Sequence, residues 1–298
     1  MENVPPVFIK SVLCLSRLST VEPFQKLLSH SWSQPAAEQM TRRKNWELKT
    51  VDCLTNYIGF LSRYKNSENA HEYASFQEFP RMDPSLNQIT GIWLKGPDDD
   101  EEPYDYESNC KGTKITTEQD VTNFQRRFFP RINYNALDSC NLVEDDIGLH
   151  SATLHHLADK QMLINDVKYL NISYEDPAST DLLKGLMQKR VLIRVRMSGE
   201  WPAESTVPLI EALIPQRQLE YFSYGARINL SETFFPSLID DWRNDTMPQR
   251  KRMFFHKLQT PLPLESGVYP HPKLDEQLEV ELEPFWTFLN FSSATDPE

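Results

Sequence analysis

Nine glycines in 298 residues leave little material for loops that cradle phosphate. None of them falls into a G-x-G-x-x-G or G-x-x-x-x-G-K-[ST] arrangement, in which missing side chains let the backbone approach a phosphate group. A G-x-S-x-G nucleophile elbow and an H-E-x-x-H zinc motif are also missing. No catalytic residue and no cofactor are therefore assigned from motifs. Catalytic groups need not be neighbours in sequence, so an enzyme with a motif-free site stays open as an alternative of another class.

Cysteine is scarce as well. Cys14, Cys53, Cys110 and Cys140 lie far apart with no C-x-x-C pair, which predicts four free thiols rather than a disulfide framework or a zinc site. Three histidines, His150, His155 and His156, share one stretch, but His150 and His155 are five apart and His155 and His156 are adjacent. A helical zinc pair needs i, i+4 spacing, so no metal site is expected. No apolar run approaches the ~18 residues of a membrane span, and no membrane partner is expected. Acidic residues outnumber basic ones 43 to 31 for a net charge of −12. The largest basic cluster is Met40-Thr41-Arg42-Arg43-Lys44, too small to offset repulsion from a phosphate backbone, so nucleic acid is not an expected partner. Met1-Glu2-Asn3 lacks the basic start of a signal peptide and Lys10 interrupts the run from Val7 to Leu15, which predicts a cytoplasmic or nuclear address.

What the chain does have is recurrence. Three strand-like runs, Val167 to Ile172, Leu192 to Met197 and Leu219 to Tyr224, are rich in β-branched and aromatic residues. Each precedes a helix-start signal, at Ser179 and Thr180, at Ser205 and at Ser231, whose side-chain oxygens can accept from orphan N–H groups. The helices then place Leu182, Leu183, Leu186, Met187, next Leu209, Ile210, Leu213, Ile214, and last Phe234, Phe235, Leu238, Ile239 on one face. These sets recur 27 and 25 residues apart, the spacing of a stacked βα array whose strands lie side by side and parallel. The strict leucine-rich consensus is absent, so the array is irregular; a single α/β domain with evenly spaced elements is the alternative.

In such an array alternate strand residues face away from the helices. With Leu170, Ile172, Ile193, Val195, Met197, Phe222 and Tyr224 inward, the outward positions are Tyr169, Asn171, Arg194, Arg196, Tyr221 and Ser223. Tyrosine and arginine are enriched at interface hot spots. Arg194 and Arg196, in an otherwise acidic protein, predict a face for an acidic or phosphorylated segment. Pairing with acidic neighbours such as Glu220 is the alternative.

Residues 1–45 read as two or three short helices: Val4-Pro5, then Phe8, Val12, Leu15, Leu18, Phe24, Leu27, Leu28 and Trp32, followed by Ala36 and Ala37. On these residues, with 27 positions between Pro5 and Trp32, the segment resembles an F-box. It departs from that pattern at Pro6, where an acidic residue is usual, and at Pro23. The whole layout resembles the expanded F-box families of nematodes. The resemblance implies that Val4, Pro5, Phe8, Val12, Leu15, Leu27, Leu28 and Trp32 dock on a Skp-type adaptor of a cullin-RING ubiquitin ligase, while the remainder captures a protein substrate. A helical cap on the open end of the array is the alternative for this segment.

Between these parts, Trp46 to Val51 predicts a strand and Val51 to Tyr64 a helix with Leu54, Ile58 and Leu61 on one face, a first βα unit. Ile89 to Leu94 predicts a strand. Gly96 to Glu107 is acidic and bounded by prolines, which predicts a solvated loop, with a cation site or a docking loop for a basic partner as the alternatives. Thr116 to Asp120 predicts a capping-type start for a helix over Val121 to Phe129, Arg131 to Leu137 a strand, and Asp145 to Lys160 a helix. Arg252 to Leu258 predicts another strand. Prolines break the tail, where Leu278 to Leu282 alternates as an edge strand would. The expected fold class is α/β: an F-box-like helical module over residues 1–45, an irregular parallel βα, leucine-rich-repeat-like array over 46–260, and a Pro-rich cap over 261–298. The expected function is substrate recognition for a ubiquitin ligase, with a repeat-type binding scaffold of no ubiquitin role as the alternative.

Overall fold

The computed structural model describes residues 4–52, 57–65, 70–95, 112–143 and 147–294. The acidic run at 96–107, together with Cys53 and Cys110, lies outside them. The chain forms two compact units, residues 1–167 and 168–298, and both mix helices with strands.

The first unit begins with helices α1 (Pro6–Leu15), α2 (Leu18–Val21) and α3 (His30–Arg42). Pro6 starts α1, where a missing N–H costs nothing. Ile9, Leu13, Val21, Trp32 and Ala36 form a core of their own, with Val4, Val12, Phe24, Leu27 and Met40 packed on it. The Phe24 and Trp32 rings stack with centroids 5.2 Å apart.

Six strands among the described residues then build a sheet: β1 (Lys44–Asp52), β2 (Tyr57–Lys65), β3 (Ala70–Ala74), β4 (Asn87–Lys95), β5 (Thr113–Ile115) and β6 (Ser139–Leu142). Its order is β6-β4-β1-β2-β3, with β5 also on β2. β1, β4 and β6 run parallel, while β1, β2 and β3 form an antiparallel meander. The helices of this part among the described residues are α4 (Glu118–Phe128) and α5 (Leu149–Asp159). Within the capping-type start expected at Thr116 to Asp120, Thr117 and Asp120 form a capping box, with each side chain satisfying the other's backbone N–H.

Two expectations fail here. Residues 57–64 are strand and not helix. Tyr57, Ile58, Phe60 and Leu61 are all buried, and a strand covered on both faces loses the alternation that distinguishes it from a helix. The predicted strand at 131–137 is instead a pair of 3-10 turns, Phe129–Arg131 and Tyr134–Ala136. Between them Asn133 turns its amide inward to the carbonyl of Cys14 at 3.2 Å and to Gln88 at 2.8 Å.

The second unit is the array. β7 (Tyr169–Ser173), α6 (Pro177–Gln188), β8 (Arg194–Ser198), α7 (Ala203–Leu213), β9 (Tyr221–Tyr224), α8 (Phe234–Asn244) and β10 (Lys251–His256) alternate along the chain. β7, β8, β9 and β10 are parallel neighbours in that order. Leu170, Val195, Phe222 and Met253 share one inward row, and Ile172, Met197, Tyr224 and Phe255 the next. The helices close over them; Phe235 of α8 meets Phe255 at 5.8 Å between centroids.

The helix starts differ from those expected. Asp176 caps α6 by accepting from the Ala178 N–H at 2.8 Å, ahead of buried Ser179. Pro202 precedes α7, so that Ser205 falls inside the helix, and α8 starts after Thr233 and not at Ser231. Only the first of these starts carries a side-chain cap; Pro202 has no side chain that can accept, and Thr233 makes no capping hydrogen bond.

The tail is part of this sheet. β11 (Gly267–Pro270), β12 (Glu276–Leu282) and β13 (Trp286–Ser293) continue it antiparallel beyond β10 in the order β13-β12-β11. β12 is thus paired on both sides and is not the edge strand expected. Trp242 of α8 and Phe291 of β13 meet at 5.7 Å, which joins tail and array in one core.

Two stability predictions follow from the packing. A Cβ at Gly59 would lie 2.3 Å from the ring of Phe76, whose ring sits 4.3 Å from that of Phe128. Gly59→Ala should therefore destabilise the protein by about 1–3 kcal/mol in urea titrations. Phe255→Ala should cost about 3–5 kcal/mol, whereas Phe254→Ala, on the other face of β10, should cost much less. Equal losses at the two positions would contradict a sheet buried on one side there.

Candidate functional site

Two surfaces stand out, one on each unit. On the first, α1 turns Ile9 and Leu13 into the helical core, one position on from the residues read as matching an F-box. That rotation leaves Phe8 56% and Leu15 55% exposed. Phe8, Val12 and Leu15 follow the i, i+4, i+7 spacing of one helix face. Leu28, in the connection before α3, is 99% exposed, and Val7 is exposed as well. Of the remaining candidates, Pro5 is exposed, Val4, Val12 and Leu27 are half-buried, and Trp32 is core. The eight candidates thus divide into residues that hold the helices together and residues that offer apolar surface to solvent. Val7 was missed in the sequence because nothing in its spacing separates it from its neighbours.

Polar groups fix this module from beneath. Gln88 donates to the Cys14 carbonyl at 2.8 Å, and buried Arg43 donates through its guanidinium to the Ser16 carbonyl at 2.5 Å. Burial pushes the Cys14 thiol above its ordinary value against the opposing pull of Arg43, so it is a poor nucleophile. Arg17 pairs with Asp166 at 2.9 Å.

On the second unit, the outward residues of β7 to β10 line up across the sheet. Tyr169, Arg194, Tyr221 and Arg252 are register partners in one row. Asn171, Arg196, Ser223, Phe254 and Phe288 form the next. The Arg194 guanidinium lies over the Tyr169 ring at 5.7 Å and that of Arg196 over the Tyr221 ring at 5.4 Å. Both distances fall within cation–π range, worth about 0.5–1 kcal/mol at exposed sites. Neither arginine pairs with Glu220, and among the described residues no carboxylate stands in ion-pair range of Arg194, Arg196 or Arg252. Arg194, Arg196 and Tyr169 are exposed, while Asn171, Tyr221 and Ser223 are half-buried.

The six array residues named from the sequence therefore do share one face. Reasoning from sequence missed its other half. Phe254 lies 4.5 Å from Phe288, 6.2 Å from Trp286 and 6.3 Å from Tyr221 between ring centroids. Alternation along 252, 254, 256 and along 286, 288, 290 carried that signal, but only the pairing of β10 with β13 puts the two strands together.

The histidine-bearing helix α5 offers different chemistry. Tyr134 and His156 approach to 2.5 Å, and the His156 ring stacks on Phe129 at 4.2 Å. Burial pushes the Tyr134 hydroxyl up to about 12 and lowers His156. At neutral pH this is an uncharged hydrogen bond that pins α5 to the preceding turn. His150 is buried and His155 exposed. Among the described residues, no group of histidine, cysteine, aspartate and glutamate converges to hold a metal ion, and no helix is long and apolar enough to cross a membrane.

Compared with known proteins, the chain matches no protein-family model, no curated protein and no solved structure.

If Arg194 and Arg196 are free surface cations, removing them should leave the fold intact. Arg194→Ala/Arg196→Ala should change unfolding free energy in urea by less than about 2 kcal/mol, the loss of two exposed cation–π contacts. Val195→Asp, between them and fully buried, should cost more than about 3 kcal/mol or prevent folding.

Proposed function

We propose that this protein is an interaction adaptor that holds one partner on its N-terminal helical module and a second on the open face of its βα array. The observation that carries this reading is that each unit turns large contact-forming side chains to solvent. Phe8, Leu15 and Leu28 do so on the module, and Tyr169, Arg194, Arg196 and Trp286 on the array. Exposing such residues forfeits the stabilisation of burial, about 1.5–3 kcal/mol for a large apolar side chain. A partner that covers them recovers it.

For the module we infer a Skp-type adaptor and, through it, a cullin-RING ubiquitin ligase. The support is the likeness to an F-box from Val4 to Trp32 and the apolar stripe that Phe8, Val12 and Leu15 form on α1. Leucine and phenylalanine at such positions suit a helix-in-groove contact. The array would then present a protein substrate for ubiquitination.

Capture of purified Skp-type adaptor and cullin by the tagged full-length chain tests this. The wild-type chain should retain both, and Phe8→Glu/Leu28→Glu should weaken retention by roughly 10-fold or more, as loss of interface anchors does. Exposure at both positions predicts an unchanged thermal melt. A wild-type chain that retains neither protein would end the ubiquitin reading.

A further inference from the structure

The open face of the array also says which kind of segment it takes, given the reading above that this face binds a partner. Its positive groups do not converge. Arg194 and Arg196 lie two apart on β8, yet the first leans over Tyr169 on β7 and the second over Tyr221 on β9, at 5.7 and 5.4 Å. The two guanidiniums are thus parted toward opposite neighbours of the strand that carries them. A phosphoryl group that engaged both would need them to converge on its three terminal oxygens. Two separate carboxylates would not.

Beyond Tyr221 the face changes character. Phe254, Phe288 and Trp286 form an aromatic patch over β10 and β13, with Trp286 36% exposed. Arg252 flanks it beside Tyr221, and Asn290 and Glu279 follow in register on β13 and β12, joined by a 3.3 Å hydrogen bond. Glu281 stands opposite Phe288. Across the sheet the order is therefore cationic on β8, aromatic on β10 and β13, and anionic on β12. A fully acidic ligand fits only the first part, and a nucleic acid strand would meet repulsion at Glu279 and Glu281.

The geometry points to an extended protein segment carrying two carboxylate side chains and, a few residues further, an aromatic or large apolar side chain. The carboxylates would lie on Arg194 and Arg196, each guanidinium held flat by its tyrosine ring, and the apolar residue on Phe254, Phe288 and Trp286. From β7 to β13 is four strand spacings, about 19 Å, which an extended chain at about 3.3 Å per residue crosses in about six residues. Two acids within the first four and an aromatic near the sixth match that span. Exposed Tyr169 and Trp286, with half-buried Tyr221, supply rigid contact area of the kind found at the centres of interfaces.

Selection of random peptides of about a dozen residues on the immobilised full-length protein tests the assignment. Enriched sequences should carry paired Asp or Glu ahead of an aromatic residue. A fluorescent peptide made from that consensus should bind the wild-type chain and lose roughly 10-fold or more in affinity with Arg194→Ala/Arg196→Ala and with Phe254→Ser, as hot-spot residues do. Should those variants melt early, raising salt from about 50 to about 500 mM on the wild-type chain should give a comparable loss. Selection without acidic enrichment overturns the proposal, as does tighter binding when phosphoserine replaces the acids, or displacement of the peptide by single-stranded poly-uridine. Capture of Skp-type adaptor on the same preparation is read separately. Capture without acidic enrichment overturns this proposal alone, and acidic enrichment without capture overturns the ubiquitin reading alone.

Discussion

The second unit depends on one-sided burial. Helices α6, α7 and α8 each carry an apolar stripe that has to be covered, and the inward rows of β7 to β10 cover it. These helices cover the inward rows, and among the described residues of this unit no helix covers the outward ones, which are exposed or half-buried at Tyr169, Asn171, Arg194, Arg196, Tyr221 and Ser223. Period-two alternation then forces opposite demands on neighbouring residues. Val195 and Met197 must be apolar, while Arg194 and Arg196 are free to be anything that tolerates water. Asn171 and Ser223 are what solvent alone would ask for. Their neighbours on the same face are tyrosine, arginine, phenylalanine and tryptophan, which solvation does not require.

That same alternation made the array readable. Across Leu170 to Tyr224, inward and outward residues differ in chemistry, and the helical stripes recur at near-constant distance, so strands, helices and the shared face all followed from spacing. Where both faces of a strand are covered, the signal disappears. Ile58 and Leu61 stand three apart in a strand with buried residues on both sides, and that spacing imitates a helix turn. The failure at 131–137 has a different origin. Asn133 and Arg131 are held by long-range bonds to Cys14, Gln88 and Asn87, and no local pattern records contacts made with residues more than 40 positions away.

The helical module shows the limit of a pattern match. Its spacing was legible, but not its rotation. The residues matching an F-box include both Trp32, which the core needs, and Leu28, which it does not touch. Spacing alone gives each an equal claim, because apolar residues at helical intervals serve packing and binding alike. Only burial divides them, and it assigns the core of α1 to Ile9 and Leu13, beside the matched positions rather than on them.

Among the described residues, the cationic part of the array face is organised by tyrosine rings and not by carboxylates. An ion pair would neutralise Arg194 and Arg196 and tie their side chains down; a tyrosine ring restrains a guanidinium while leaving its charge and all its N–H donors available. In a chain with 12 more acidic than basic residues, any arginine has abundant acidic company in the sequence. Glu220, next to Tyr221, is near enough in the chain to have paired with either. Parallel register opposes Arg194 to Tyr221, not to Glu220, and so turns the carboxylate away from the row it could have neutralised. Register, set by the buried rows on the other side of the same strands, is therefore also what keeps this charge on offer.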